Sequence, residues 1–173
     1  MSLVRLAVLL GYSYAVTATV LSHVVDSRQP TEQPRVLRSP SIELALEVLG
    51  TSDRLYAAQV GYAGLNLPQV LAWRVLLINP RADSLFLDLL DRGTRPGQLY
   101  GLAGLRWLRE FGRLDPKRYR AALQRLVSGP ADEMVPTQIG CIGGAQPLRS
   151  LLAEVNSGVW GRELLSGRLG SGR

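Results

Sequence analysis

The apolar residues of this chain recur at every third or fourth position from Ser39 to about Val155. This spacing places them along one side of an α-helix, whereas a strand requires alternation at every second residue. The clearest case follows Asp115 and Pro116, a pair that is typical of a helix start. The apolar stripe after this pair consists of Tyr119, Ala122, Leu123, Leu126 and Val127. The pattern therefore predicts a domain built from helices.

Glycine and proline residues divide this region into short predicted helices. Ser39 and Pro40 begin the first helix, and Gly50 ends it. The aromatic content of 6% is low, so Leu, Val and Ala must fill most of the core, and this mixture favours helices over sheets. Further helices are predicted from Leu55, from Gln69 to Ile78, from Ala82 to Arg92, from Leu99, from Pro116, and in the last part of the domain from near Ala145.

One short pattern occurs twice along these helices. A helix ends at Gly50-Thr51 and the pair Leu55-Tyr56 follows, and the same order returns at Gly93-Thr94 and Leu99-Tyr100. The copies lie about 43 residues apart, a distance in the range of known helical repeats. Small residues follow each Leu-Tyr pair, and we expect them to let a neighbouring helix approach closely.

With this period, residues 39–130 resemble HEAT-like or armadillo-like repeats, which have about 40 to 47 residues and two or three helices per unit. The resemblance implies an all-α fold, in which antiparallel helix pairs stack as an αα-superhelix and share a core. The alternative is an irregular helical bundle, also all-α, in which the two copies match by chance. The segment Leu99 to Leu105 is also similar to small exported bacterial proteins of unknown function, and that resemblance implies no activity.

The first 38 residues differ in composition from the helical region. Leu6 to Val25 carry no formal charge, and Val16 and Ala18 occupy positions suited to a signal-peptide cleavage site. The stretch also reaches the ~20 residues of a membrane-spanning helix. We therefore predict a signal peptide or membrane anchor at residues 1–25, with a buried first helix of the domain as the alternative. Residues 26–38 contain prolines and arginines and little to bury, which predicts a flexible linker.

These boundaries predict a helical-repeat domain at residues 39–157 and a flexible tail, rich in Gly and Arg, at residues 158–173. The first segment predicts a protein that is exported or anchored in the membrane. Together with the resemblance to exported bacterial proteins, it implies a bacterial protein in the periplasm, outside the cell or at the membrane.

The composition excludes several classes of catalytic and metal site. Cys141 is the only cysteine, so the chain cannot form an internal disulfide or a cysteine metal cluster. A catalytic triad or another histidine-based site would have to use His23, the only histidine, which lies in the apolar N-terminal run, so we expect none. For Cys141, a small buried thiol in a tight turn is favoured over a reactive nucleophile. For Asp88 and Asp91, three residues apart on a helix, a solvated face is favoured over a cation site. We predict no catalytic residue, metal, cofactor or small-molecule substrate.

The net charge of +6 comes almost wholly from arginine, since Lys117 is the only lysine. This excess can reflect genome composition, but seven cations fall between residues 106 and 125, on two successive predicted helices. If those helices pair, their cations can merge into one basic surface, which is the footprint of an anionic partner. A solvated basic face is the alternative. The candidate partner-binding residues are Arg106, Arg109, Arg113, Lys117 and Arg120.

Together these features predict a non-enzymatic helical-repeat module that binds another macromolecule, in the first place another protein. The alternative is an arginine-driven binder of an anionic surface, either membrane headgroups or nucleic acid. The two differ in salt dependence, because a binder driven by arginine loses affinity steeply as salt rises.

Overall fold

A computed structural model describes residues 41–60, 67–130 and 132–165. The predictions for residues 1–25 and 26–38 lie outside these described residues. The strands are β1 (Leu55–Val60), β2 (Met134–Gly140) and β3 (Ile142–Pro147). The described domain is mostly helical, and its helices are α1 (Ile42–Gly50), α2 (Pro68–Ile78), α3 (Ala82–Arg92), α4 (Arg95–Glu110), α5 (Pro116–Val127), α6 (Leu148–Ser157) and α7 (Val159–Leu165).

Polar residues and prolines start several of these helices. The hydroxyl oxygen of Ser41 accepts a hydrogen bond from the backbone N–H of Leu44 at 3.2 Å, so the first helix begins slightly later than predicted. The carboxylate of Asp115 accepts one from the backbone N–H of Lys117 at 2.8 Å. The predicted cap at Asp115, with Pro116 in the first turn, is thereby confirmed.

The expectation that every element is a helix is wrong in three places. β1 occupies the segment where a helix was predicted from Leu55, and β2 and β3 form a hairpin where an irregular stretch and a helix start near Ala145 were predicted. The strand order is β1-β2-β3, with β1 parallel to β2 and β2 antiparallel to β3. The bonds that pair β1 with β2 link residues about 80 positions apart, so the neighbouring sequence carries little signal for the strand.

The two Leu-Tyr pairs consequently lie in different elements. Leu55 and Tyr56 begin β1, whereas Leu99 and Tyr100 lie inside α4. The pairs also contact each other, because the backbone N–H of Tyr56 donates to the hydroxyl oxygen of Tyr100 at 2.8 Å. The repeated sequence pattern thus does not correspond to a repeated local structure after Gly50 and Gly93.

α3 and α4 pack closely through glycine. A Cβ atom at Gly101 would lie 2.8 Å from the carbonyl oxygen of Phe86, and a Cβ atom at Gly104 would overlap the Phe86 ring. Gly101 also lies against Leu89, whereas Gly104, one turn later on α4, lies nearest to the earlier residue Phe86 of α3. The two helices are therefore antiparallel. The expectation that small residues after Leu99 and Tyr100 allow a close helix approach is confirmed.

The tryptophans differ in burial. Trp73 and Trp160 are buried in the core, and the indole N–H of Trp73 donates to the backbone oxygen of Tyr100 at 3.0 Å. Trp107 follows Tyr100 by seven residues, a spacing that predicts one shared inward stripe on α4, and its side chain is partly buried. Its ring lies at the edge of that stripe, 4.9 Å from the ring centroid of Phe111. Trp107 nevertheless packs against the core, so the predicted phase of α4 is right at Tyr100 and Trp107 lies at the margin of the buried side.

The domain also continues past its predicted end at residue 157. Gly158, with a φ of 83°, ends α6, and α7 follows at once. α7 buries Trp160 and Leu164. The guanidinium of Arg74 donates to the carbonyl oxygen of Leu164 at 2.9 and 3.0 Å. The prediction of a fraying tail from residue 158 is wrong for Val159–Leu165, while residues 166–173 lie outside the described part.

Candidate interaction surface

Two of the five candidate partner-binding residues connect α4 to its neighbours. The side chain of Arg106 donates from Nε to the backbone oxygen of Asn156, at the C-terminal end of α6, and from Nη1 to the carboxylate of Glu110, both at 2.9 Å. The guanidinium of Arg109 stacks on Tyr119, with its carbon 4.3 Å from the ring centroid. Cation–π stacking of this kind stabilises a helix contact by roughly 0.5–1 kcal/mol at a partly exposed site.

Arg113 reaches across to the end of another helix. Its Nη1 donates to the carbonyl oxygen of Leu77 at 3.0 Å, and its Nη2 donates to that of Asn79 at 2.9 Å. The last carbonyl groups of a helix have no partner within the helix and carry partial negative charge. The guanidinium of Arg113 supplies hydrogen-bond donors and a positive charge at this point. Arg74 and Arg106 do the same for α7 and α6. Part of the arginine excess therefore serves as intramolecular helix caps.

Arginines of α5 also pair with carboxylates of α3. Arg118 forms an ion pair with Asp83 at 2.8 Å, and Arg125 pairs with Asp91. Asp88 pairs with Arg92 on its own helix at 2.9 Å. Asp88 and Asp91 are thus each bound by a different arginine, and they do not converge on a shared site.

Two of the five candidates differ from the others. The side chains of Lys117 and Arg120 are exposed, and neither forms an ion pair or hydrogen bond with another described residue. Both lie on α5. Among the five candidates, only these two residues of α5 therefore have a charged group that no described residue engages.

An apolar groove lies between α5 and α6. It has a volume of about 270 Å³. The sequence places Val127 on the buried stripe of α5, but the side chain of Val127 is 58% exposed, and Leu123 is only partly buried. The stripe is wider than the surface that α6 covers. The residues that line the groove are Leu123, Leu126, Val127, Gly129, Leu148, Arg149, Leu152, Ala153 and Asn156.

Sequence reasoning missed the contribution of α6 to this surface. Arg149, Leu152 and Asn156 are spaced at i, i+3 and i+7, so they follow one side of the helix. The apolar stripe of Leu148, Leu151, Leu152 and Val155 indicates only which side of α6 faces the core. Arg149 and Asn156 beside Leu152 indicate a groove only when the position of α5 is known, because α5 supplies the other wall.

Cys141 does not have the environment that the sequence favoured. It is exposed in the two-residue turn between Ile139 and Ile142, which are paired across the hairpin. Gly140, the first residue of that turn, has a φ of 58°, which suits a tight hairpin turn. The expectation of a buried thiol is wrong, whereas the expectation of a tight turn is confirmed.

The hydroxyl of Tyr100 is an ionisable group that lies in the core. Burial raises the pKa of its hydroxyl far above the usual tyrosine value, and the hydrogen bond with the Tyr56 backbone opposes this only in part. The hydroxyl accepts from the backbone N–H of Tyr56 and donates to the backbone oxygen of the same residue at 3.5 Å. These bonds attach β1 to α4, so the group has a structural task.

Two properties of the described residues bear on the possible chemistry. Among residues 41–60, 67–130 and 132–165, no three side chains of His, Cys, Asp or Glu gather as metal ligands would. Over the same ranges, none of the helices combines the length and apolarity needed to cross a bilayer.

Comparison with known proteins gives no relative from which a role can be transferred. No family model, curated protein or solved structure matches this chain. The functional argument therefore depends on the geometry of the chain itself.

Proposed function

We propose that this domain is a non-enzymatic interaction module that binds another protein through the groove between α5 and α6. The observation that carries the proposal is the incompletely covered apolar stripe of α5. Leu123 and Val127 remain partly exposed beside Leu152 and Ala153 in a groove of about 270 Å³. Contiguous exposed apolar surface with a polar rim is typical of protein-binding sites.

The proposal includes two features of the wider protein. The first is export from the cytoplasm or anchoring in the membrane of a bacterium, which is supported by the uncharged stretch from Leu6 to Val25. The second is a HEAT-like stack of helix pairs, which is supported by the antiparallel pair α3 and α4. β1 weakens the second feature, because it replaces the helix that a second repeat unit requires.

The alternative function is binding of an anionic surface by arginine, either membrane headgroups or nucleic acid. The free side chains of Lys117 and Arg120 support it. Arg106, Arg109 and Arg113 weaken it, because their guanidinium groups are engaged within the domain. We therefore favour a protein partner over an anionic surface.

Capture of partners by the full chain, from the cells that produce it, tests the proposed function. The variant Ala153→Arg places a long charged side chain in the groove, whereas Ala121→Arg places the same side chain on an exposed position of α5 that does not line the groove. We expect a protein that wild type and Ala121→Arg retain and that Ala153→Arg loses. Retention should persist at roughly 0.5 M salt, where exposed charges are screened.

Two outcomes would contradict the proposal. Equal capture of the same proteins by all three forms would show that the groove has no part in binding. Capture of nucleic acid or lipid alone, lost as salt rises, would favour the arginine-driven alternative.

A further inference from the structure

We infer that the groove between α5 and α6 accepts an acidic amphipathic helix of the partner protein, an inference that rests on the proposed function. Its basis is the position of two unpaired arginines relative to the apolar lining.

The two helices that form the groove are antiparallel. The hydroxyl of Tyr119, near the start of α5, donates to the side-chain oxygen of Asn156, near the end of α6, at 3.1 Å. At the other end, Val127 and Gly129 line the groove together with Leu148 and Arg149. The groove therefore runs along both helices, from the Asn156 end to the Arg149 end.

Two arginines flank this groove, one in its lining and one on α5 beyond the lining. Arg149 lines one end directly. Arg120 precedes Leu123 by three residues and Val127 by seven, so it lies on the same side of α5, toward the Asn156 end. The side chains of both arginines are exposed, and neither is paired with another described residue.

The lining carries no opposing charge. Every residue that lines the groove is apolar or glycine except Arg149 and Asn156, so no carboxylate of the described residues neutralises the two arginines there. A partner with apolar side chains between carboxylates would match the apolar lining and would pair with the two arginines. A nucleic acid or a headgroup surface would satisfy the arginines but would leave the apolar floor exposed to water.

The length of the groove suits a helix. From Arg149 to Asn156 the axis of α6 advances about 10 Å, or two helical turns. An amphipathic helix presents apolar side chains at i, i+3 or i+4, and i+7 over that same length, and helix-in-groove recognition uses this spacing. Carboxylates that flank these anchors would then meet Arg120 and Arg149.

Selection from a display library of random peptides tests this inference. The full chain is the target, and Ala153→Arg is used for counterselection, so that the recovered peptides bind the groove. We expect these peptides to carry net negative charge and apolar residues at helical spacing. A synthetic copy of a selected peptide should lose affinity by roughly tenfold in the double variant Arg120→Glu with Arg149→Glu, since both rim charges are then reversed.

Lys117→Glu is the matched control. Lys117 is exposed on α5, like Arg120, but it precedes Leu123 by six residues, a spacing that turns it away from the side of the helix that carries Leu123. We expect this variant to change affinity by less than roughly twofold. Replacing the carboxylates of the selected peptide by lysine should restore its binding to the double variant.

The outcomes separate the inference from the proposed function. Groove-dependent peptides that are neutral, basic or extended in pattern would overturn the acidic helix and leave the groove as a binding surface. Failure to recover any peptide that distinguishes wild type from Ala153→Arg would overturn both. An equal loss of peptide affinity in Lys117→Glu would show unspecific charge attraction and overturn the inference. Binding to anionic vesicles that the double variant weakens to the same degree would do so as well.

Discussion

At the scale of single residues, glycine at position 104 determines how closely α3 and α4 approach. A methyl group there would overlap the ring of Phe86, which is fully buried and packs 6.0 Å from the ring centroid of Trp73. The ring has little room to move because protein interiors are close-packed. Alanine favours a helix over glycine by up to about 1 kcal/mol, so only the packing can make this substitution unfavourable.

We predict that Gly104→Ala lowers the free energy of unfolding by about 1–3 kcal/mol, as overpacking of a core usually does. Urea denaturation followed by circular dichroism measures the change. Gly144→Ala is the control, because a Cβ atom at Gly144 would meet no atom within 4 Å. A Gly104→Ala variant as stable as wild type, or more stable, would mean that the two helices are farther apart than the structure shows.

A second prediction concerns how Tyr100 makes the free energy of unfolding depend on pH. Burial raises the pKa of its hydroxyl, so the folded protein retains a proton that the unfolded chain releases near pH 10. Stability from this group is therefore fully present below pH 10 and falls as the pH rises above that value. We expect Tyr100→Phe to be less stable than wild type near neutral pH by about 1–3 kcal/mol, because the N–H of Tyr56 loses its acceptor.

The same variant should show a smaller fall in the free energy of unfolding between pH 9 and 11. Chemical denaturation at a series of pH values measures both effects. If wild type and Tyr100→Phe lose stability in parallel over this range, the hydroxyl is not shielded from water as described.

At the scale of elements, arginines act as caps that attach one helix to the end of another. Arg113 donates to two carbonyl groups at the end of α2, whereas the side chain of Lys117, four residues later, contacts no described residue through a hydrogen bond or ion pair. We predict that Arg113→Ala lowers the free energy of unfolding by about 1–3 kcal/mol, since hydrogen bonds to charged groups are among the stronger ones. Lys117→Ala should change it by less than about 0.5 kcal/mol. Similar effects of the two substitutions on the denaturation midpoint would contradict this prediction and mean that Arg113 does not stabilise the end of α2.

Helices were more predictable than strands for a physical reason. The bonds of a helix join residues four apart, so caps such as Asp115 and the spacing of apolar residues are visible in one short window. β1 depends on Thr137 and on the hydroxyl of Tyr100, which are distant in sequence. The hairpin has a local signal of its own, since Val135 and Thr137 alternate with exposed residues and Gly140 lies at the turn.

At the scale of the whole molecule, the candidate surface was only partly predictable. The cations of α5 could be placed outside its apolar stripe, because the stripe fixes the rotation of the helix. The engagement of Arg106, Arg109 and Arg113 could not be foreseen, since their partners Asn156, Tyr119 and the end of α2 come from elsewhere in the fold. The groove likewise depends on how far α6 extends over α5, which no local pattern specifies.

The central claim is that the groove between α5 and α6 is the surface that a protein partner covers. Hydrogen–deuterium exchange of the full chain, with and without a saturating partner captured as described above, tests it most directly. The prediction is slower exchange in Pro116–Val127 and Leu148–Ser157 when the partner is bound, and unchanged exchange in the hairpin of β2 and β3. Slower exchange confined to the hairpin or to α2, with no change in α5 and α6, would contradict the claim.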